Sequence, residues 1–205
     1  MQHLLVICHP KQQSFTQTIA HAYAQALESL GHEVVIRDLY RAHFDPLLGE
    51  RELIGAKRPF IPSAVRREQR RVIEAGAIAF FYPLWWAYMP AMLKGYIDRV
   101  FSAGVAYDLK GEQMIPRLSG KKALIFTSSG ADMSYLRRSK QWRAMGILEE
   151  NHILSLCGIE LLEHVHFGSI TPDLSKKAVE KNLAVVRKAV QTHWGSVPAA
   201  QGRHP

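Results

Sequence analysis

Three short stretches of the chain hold the side chains best suited to chemistry. The first, His9-Pro10-Lys11-Gln12-Gln13-Ser14-Phe15-Thr16, contains no glycine, which excludes a G-x-G-x-x-G dinucleotide turn and a Walker A loop. Its Ser14 and Thr16 hydroxyls open a helical pattern and can hold a phosphate there, because free backbone N–H groups and the helix dipole both favour an anion. The same residues also serve simply as a helix cap. The second stretch, Tyr82-Pro83-Leu84-Trp85-Trp86-Ala87-Tyr88-Met89-Pro90, sets Trp85, Trp86 and Tyr88 between two prolines just beyond an apolar run. Adjacent tryptophans at such a point suit a stiff wall for a flat ring; a plug for the sheet end or a contact between subunits is the plainer alternative. The third, Thr127-Ser128-Ser129-Gly130, offers small residues and backbone donors for the polar edge of a heterocycle, with Tyr135 at its far end.

The elements that must position these stretches are legible as an alternation of short apolar runs and helical periods. Residues 4–8 form an apolar run and residues 15–30 a helical period, with Ile19, Ala22, Tyr23, Ala26, Leu27 and Leu30 on one side and Gly31 as the stop. Val34, Val35 and Ile36 give a second strand. Residues 41–62 have prolines, glycines and no sustained period, an irregular excursion. A charged helix over 65–75, a strand over 78–82 and a helix over 91–102 follow. Then come a strand at 123–127, a helix around 146–156, a strand over 159–167 and a closing helix from Thr171-Pro172 to about Trp194, the threonine as cap and the proline in the first turn.

Short apolar strands separated by helices imply an α/β fold in which a parallel sheet is covered on both faces. For five strands the flavodoxin-like doubly wound order 2-1-3-4-5 is expected, and in that order a ligand lies beyond the carboxyl ends of the strands, where the order reverses. The three stretches all follow strand ends, so they converge on that place. The chain has 205 residues and 47% hydrophobic content, enough for one domain over 1–195 with a polar tail at 196–205.

Bulk properties exclude other classes. The formal charge is +8, but Lys and Arg gather in three separated stretches with no nucleic-acid-binding motif around them, so no nucleic-acid partner is expected. The longest apolar stretch, 75–92, is broken by Pro83 and Pro90, so no stable membrane insertion is expected. No basic leader precedes residues 4–8, and the cytoplasm is the expected location. Cys8 and Cys157 sit apart inside apolar runs, which reads as two buried thiols rather than a disulfide or a zinc site; no metal is expected.

The ordered set His9-Pro10, Ser14-Phe15, Asp38-Leu39-Tyr40, Phe44-Asp45-Pro46, Glu68-Gln69, Pro83-Leu84-Trp85-Trp86, Pro90-Ala91-Met92-Leu93-Lys94-Gly95, Arg99-Val100-Phe101, Ala106-Tyr107, Thr127 to Gly130 with Tyr135, and Cys157-Gly158 resembles the NAD(P)H:quinone oxidoreductase family over about nine tenths of the chain. The resemblance implies a flavoprotein that reduces quinones or other flat acceptors by two electrons, NAD(P)H and acceptor binding in turn. By it, Ser14, Phe15 and Thr16 hold the flavin phosphate and ribityl chain, and Pro83, Leu84, Trp85 and Trp86 flank the ring system. Thr127, Ser128, Ser129 and Gly130 meet its pyrimidine side with Tyr135 near O2, and His9 and Gln69 are further contacts. Trp86, Tyr88 and Tyr107 wall the substrate pocket, Tyr107 reaching in from the second subunit of a homodimer.

Tyr135 is the implied catalytic donor. Gln141 stands where animal enzymes of the family carry a histidine, and an amide can hydrogen-bond but not take a proton at neutral pH. In FAD-using relatives an arginine just past the Thr-Pro step lies by the adenine, and Lys176 stands at the matching offset, which implies FAD with FMN as the alternative. Lysine stacks less well than arginine. Some proteins of the superfamily attach to potassium-efflux transporters as ancillary subunits, so a transporter partner is the alternative functional reading. A one-electron flavodoxin carrier fits less well, because such carriers present an acidic face.

Overall fold

The computed structural model describes residues 1–195, apart from the side chains of 149–151; the polar tail expected at 196–205 lies outside the described residues. In chain order the first half comprises β1 (Gln2–Ile7), α1 (Phe15–Ser29), β2 (Glu33–Asp38), a 3-10 turn (Glu50–Glu52), α2 (Ser63–Glu74), β3 (Ala77–Pro83) and α3 (Ala91–Val100). The second half comprises β4 (Tyr107–Lys110), β5 (Gln113–Pro116), β6 (Lys122–Ser128), α4 (Met133–Arg138), α5 (Gln141–Gly146), a π-helical stretch (Ile147–Leu154), α6 (Ser155–Cys157), β7 (Glu160–Phe167) and α7 (Lys176–Trp194).

Five strands make a parallel sheet in the order β2-β1-β3-β6-β7. Numbered among themselves, these strands run 2-1-3-4-5, as the sequence pattern predicts. Alternation along each buried strand divides the core in two. Leu4, Val6, Ile78, Phe80, Ala123 and Ile125 face α2, α3 and the 133–157 helices, where Val65, Val72, Leu93, Tyr96, Val100, Leu136 and Met145 meet them. Leu5, Ile7, Ala79, Phe81, Leu124 and Phe126 face α1 and α7, where Ile19, Tyr23, Leu27, Val186 and Trp194 complete the other layer. Phe81 and Phe126 stack at 4.9 Å, and the Trp194 indole donates to the Tyr23 hydroxyl at 2.9 Å, which satisfies two polar groups that burial would otherwise strand. Each such large apolar side chain contributes roughly 1.5–3 kcal/mol by leaving water.

Glycine inside α3 needs a reason, since it costs about 1 kcal/mol there relative to alanine. A Cβ on Gly95 would lie 2.3 Å from the Pro46 carbonyl oxygen, so the glycine lets the excursion after β2 lie directly on the helix. Arg99 clamps the same excursion with a bidentate ion pair to Glu52 (2.8 and 2.9 Å) and a bond to the Asp45 carbonyl.

Three segments depart from the sequence pattern. Helical turns begin at Met133, ahead of the helix expected around 146–156, and residues 147–154 of that helix are π-helical. Residues 107–116 form an antiparallel hairpin around Gly111, whose φ of +62° suits the tight turn; its four-residue strands are too short to show a period. The closing helix begins at Lys176 rather than Thr171, because Ser175 is the cap, accepting from the Ala178 amide at 3.2 Å. Thr171 and Pro172 belong instead to a turn closed by the Leu174 amide on the Thr171 carbonyl. Both thiols are buried, and burial pushes Cys8 up to about 12 and Cys157 to about 11, as expected of inert core cysteines.

Candidate active site

A cleft of about 670 Å³ opens at the carboxyl ends of the strands where the order reverses between β1 and β3. Its floor at one end is the start of α1. The Ser14 hydroxyl accepts from the Gln17 amide at 3.2 Å, and its own proton remains able to point into the cleft, so the cap and the phosphate donor are compatible roles for one side chain. Phe15, Thr16 and Thr18 line the same end, where first-turn amides have no carbonyl behind them. Phe15 is held edge-on against Phe167 of β7 at 5.4 Å.

His9, Pro83, Leu84 and Trp85 form the next wall. His9 accepts from the Lys11 amide at 3.0 Å and lies 6.1 Å from the Trp85 ring; burial lowers its pKa below the usual histidine range. The Leu84 amide donates to the Ser128 carbonyl at 2.7 Å, which ties this wall to the loop after β6. Beyond Trp85 the chain turns tightly: the Trp85 and Tyr88 amides and carbonyls exchange bonds of 3.0 and 3.1 Å, and the two central residues, Trp86 and Ala87, both have positive φ of 53° and 58°. That geometry ordinarily demands Asn or Gly, and it costs other residues roughly 1–2 kcal/mol each. The strain sets Trp86 wholly in solvent.

Ser128, Ser129 and Gly130 complete the cleft opposite the aromatic wall. Ser129 itself has little left to offer a ligand: its amide donates to Phe167, its carbonyl accepts from Ile170, and its hydroxyl donates to the Ala131 carbonyl at 2.8 Å while lying 3.1 Å from His166 Nε2. The Gly130 amide has no partner among the described residues and is the backbone donor that remains. Tyr135 is half exposed on α4, whose cap Asp132 accepts from the Tyr135 amide at 2.8 Å. Gln141 begins α5. Neither Tyr135 nor Gln141 lines the cleft of the single chain, and nor do Trp86, Tyr88 or Tyr107.

Three expected cofactor contacts do not line this cleft. The Thr127 hydroxyl is fully buried and lies 2.9 Å from both His164 Nε2 and His166 Nδ1, so it faces the sheet and not the cleft. Gln69 is buried on α2, its amide reaching the Ser102 hydroxyl at 3.1 Å and the Arg99 carbonyl at 3.4 Å; it pins α2 to α3. Its neighbour Glu68 is likewise committed to Arg37 (2.6 Å) and Arg71 (2.8 Å). Lys176 is exposed on the first turn of α7 and is absent from the cleft lining, because capping by Ser175 carries the helix start past the opening. In exchange, the cleft recruits Gln12, Gln13, His21, Ile170, Thr171, Pro172, Leu174 and Val179, which the sequence pattern did not single out as contacts. The Thr-Pro step was visible in sequence, but as a helix start.

The donor set fits a flavin: a capped helix start for phosphate, an indole wall beside a flat slot, and the Gly130 amide at the far edge. The sequence matches the flavodoxin-like fold family over residues 1–199. It is 34% identical over 182 residues to an uncharacterized NAD(P)H oxidoreductase of Haemophilus influenzae, covering 87% of this chain and 90% of the relative. This chain belongs to the flavodoxin-like NAD(P)H:quinone oxidoreductase family. Within that family it is also 30% identical over 217 residues to the ribosyldihydronicotinamide dehydrogenase [quinone] of Mus musculus, covering 95% of this chain and 93% of the other. An NAD(P)H:quinone oxidoreductase from Methanothermobacter marburgensis superposes with a TM-score of 0.79 at 29% identity, over 92% of this chain and 94% of that one. Among the described residues no helix is long and apolar enough to cross a membrane, and no cluster of His, Cys, Asp or Glu is placed to hold a metal.

Proposed function

We propose that this protein is a flavin-dependent oxidoreductase that uses NAD(P)H to reduce quinones to hydroquinones by two electrons, with one proton taken from solvent. The observation that carries the reading is the convergence on one cleft of the α1 cap, the Trp85 wall and the 128–130 loop, in a chain of the quinone reductase family. Flavin, when bound, supplies alternate acceptance and release of a hydride, so nicotinamide and acceptor can use one slot in turn. The protein's part is geometry and charge. Ser14 and the first amides of α1 hold the phosphate, Trp85 and Pro83 fix the plane of the ring, and the Gly130 amide donates at the edge where negative charge develops.

Tyr135 stands five residues beyond Gly130, and we assign its hydroxyl to that charge; Gln141 is assigned beside it as a group that can hydrogen-bond without carrying a proton. Trp86, Tyr88 and Tyr107 lie outside the chain's own cleft, and we place them at the acceptor pocket of a homodimer, Tyr107 reaching the neighbouring subunit's site. The cleft does not end at the α1 cap but continues along α1 and α7 to His21 and Val179, which supports FAD over FMN. Acid release and mass determination of the flavin, followed by steady-state kinetics with NADH or NADPH and a benzoquinone, test the whole reading. Parallel double-reciprocal lines are expected; a protein that binds neither FAD nor FMN overturns it.

A further inference from the structure

Beneath the 128–130 loop, side chains from β6 and β7 form one continuous line of hydrogen bonds. His164 Nε2 lies 2.9 Å from Thr127 Oγ1, Thr127 Oγ1 2.9 Å from His166 Nδ1, and His166 Nε2 3.1 Å from Ser129 Oγ, which reaches the Ala131 carbonyl at 2.8 Å. The directions follow from the last link. A carbonyl oxygen only accepts, so Ser129 donates to Ala131 and must accept from a proton on His166 Nε2. A neutral His166 then has Nδ1 as its acceptor, which Thr127 fills with its one proton. Thr127 Oγ1 in turn accepts from His164 Nε2–H. The Trp142 ring of α5 covers both imidazoles, at 4.6 Å from His164 and 5.5 Å from His166.

Ser129 is therefore engaged at its amide, carbonyl and hydroxyl, and it joins Ser128 to Gly130, which line the cleft on either side of it. We propose that His166 is a positioning residue for the cofactor cleft, acting through Ser129 to hold the 128–130 loop in its ligand-binding shape, and that the hold requires a neutral imidazole. The proposal rests on the flavin reading of the cleft given above. Protonation would turn Nδ1 into a donor, and the Thr127 hydroxyl, fully buried, would face two ring N–H groups with its own proton driven off its acceptor. The groups facing His166 are His164 on its own strand, the Thr127 and Ser129 hydroxyls on and just past β6, and Trp142 on α5; of these only His164 titrates. Burial holds His166 at about 4, so the line is intact at neutral pH and opens on acidification.

Fluorescence titration of the apoprotein with FAD and FMN from pH 7 to pH 3.5, a range that crosses the His166 titration, tests this without reference to turnover. The variants are His166→Phe, which removes both ring nitrogens, His166→Gln, whose amide retains a donor and an acceptor, and Ser129→Ala. Circular dichroism and apoprotein melting establish that each is folded. At pH 7 His166→Phe is expected to weaken flavin binding by about tenfold or more, the equivalent of a lost directed contact. His166→Gln should recover most of that loss and be less acid-sensitive than wild type. In the Ser129→Ala background, His166→Phe should add little, because the two act through one link. Flavin binding by His166→Phe within twofold of wild type, equal acid sensitivity in wild type and His166→Gln, or full additivity with Ser129→Ala each overturns the proposal. A wild-type protein that binds no flavin at pH 7 overturns the functional reading itself, before any variant is compared.

Discussion

At the end of the cleft where we propose the phosphate, Ser14 caps α1 within a single chain, whereas toward the proposed ring end Trp86 stands in solvent and Tyr135 is half exposed. The first end is relaxed: its serine has extended backbone geometry, φ −115° and ψ 159°, and its helix packs Tyr23 against Phe81 and Phe126 of the sheet. The second is strained, with Trp86 and Ala87 both in the left-handed region. Strain of this kind persists where surrounding structure over-determines it and clusters at ligand clamps. The contrast teaches that the two ends are built differently, one relaxed and enclosed and the other strained and exposed, and the exposed end is where we propose that a second subunit sits.

The largest effect should come from the exposed end. Tyr135→Phe is expected to slow flavin reduction by NAD(P)H by roughly ten- to a thousandfold, the range for one lost donor to developing charge. Gln141→Ala should slow it less. Stopped-flow bleaching of the flavin measures this step apart from quinone binding, and a wild-type rate in Tyr135→Phe would leave the ring end with no side-chain donor, only the Gly130 amide.

At the anchor a smaller loss is expected, and in binding instead of rate. Ser14→Ala removes a helix cap and a phosphate donor, costing about 1 kcal/mol in stability and weakening flavin affinity by roughly tenfold. Equilibrium unfolding and flavin titration read the two separately. If the variant instead lowers the rate of flavin reduction with affinity unchanged, the division of labour between the two ends is wrong.

The strain itself can be measured. Ala87→Gly relieves a positive φ and should stabilise the protein by about 1 kcal/mol, seen as a higher urea midpoint at unchanged slope. A neutral or destabilising result would mean that the turn is not strained as its dihedrals imply. The smallest effect belongs to Lys176→Ala, which lies off the cleft and should leave FAD affinity within twofold of wild type; a larger loss would restore it as an adenine contact.

Much of this was legible in the sequence. The runs at 4–8, 34–36, 78–82, 123–127 and 159–167 were sufficient for a five-stranded parallel sheet: the three central strands, buried on both faces, are apolar nearly throughout, while the last run keeps Glu160, Glu163, His164 and His166 on an edge strand. Their order placed the cleft at the ends of β1, β3 and β6, and Ser14, Trp85 and Gly130 are found there. Sequence could not say which way a side chain on a strand points. Thr127, one residue before Ser128, belongs to the same motif but faces the opposite way, since successive residues of a strand alternate.

The same limit hid His164 and His166. Spaced i, i+2 in a strand that also carries Glu160 and Glu163, they were open to recognition as a shared face, but their meaning depends on Thr127 and Ser129, some forty residues away and brought adjacent only by the pairing of β6 with β7. Likewise Gln69 sits beside Glu68 in a family-like motif, yet the packing of α2 on α3 commits it to Ser102. Local propensity and the period of apolar residues, which act over a few neighbours, determined the elements, their order and the capped start of α1. Which polar groups meet across strands and helices, and which remain free to meet a ligand, was decided only by the tertiary structure, because hydrogen-bond partners are chosen by distance in space and not along the chain.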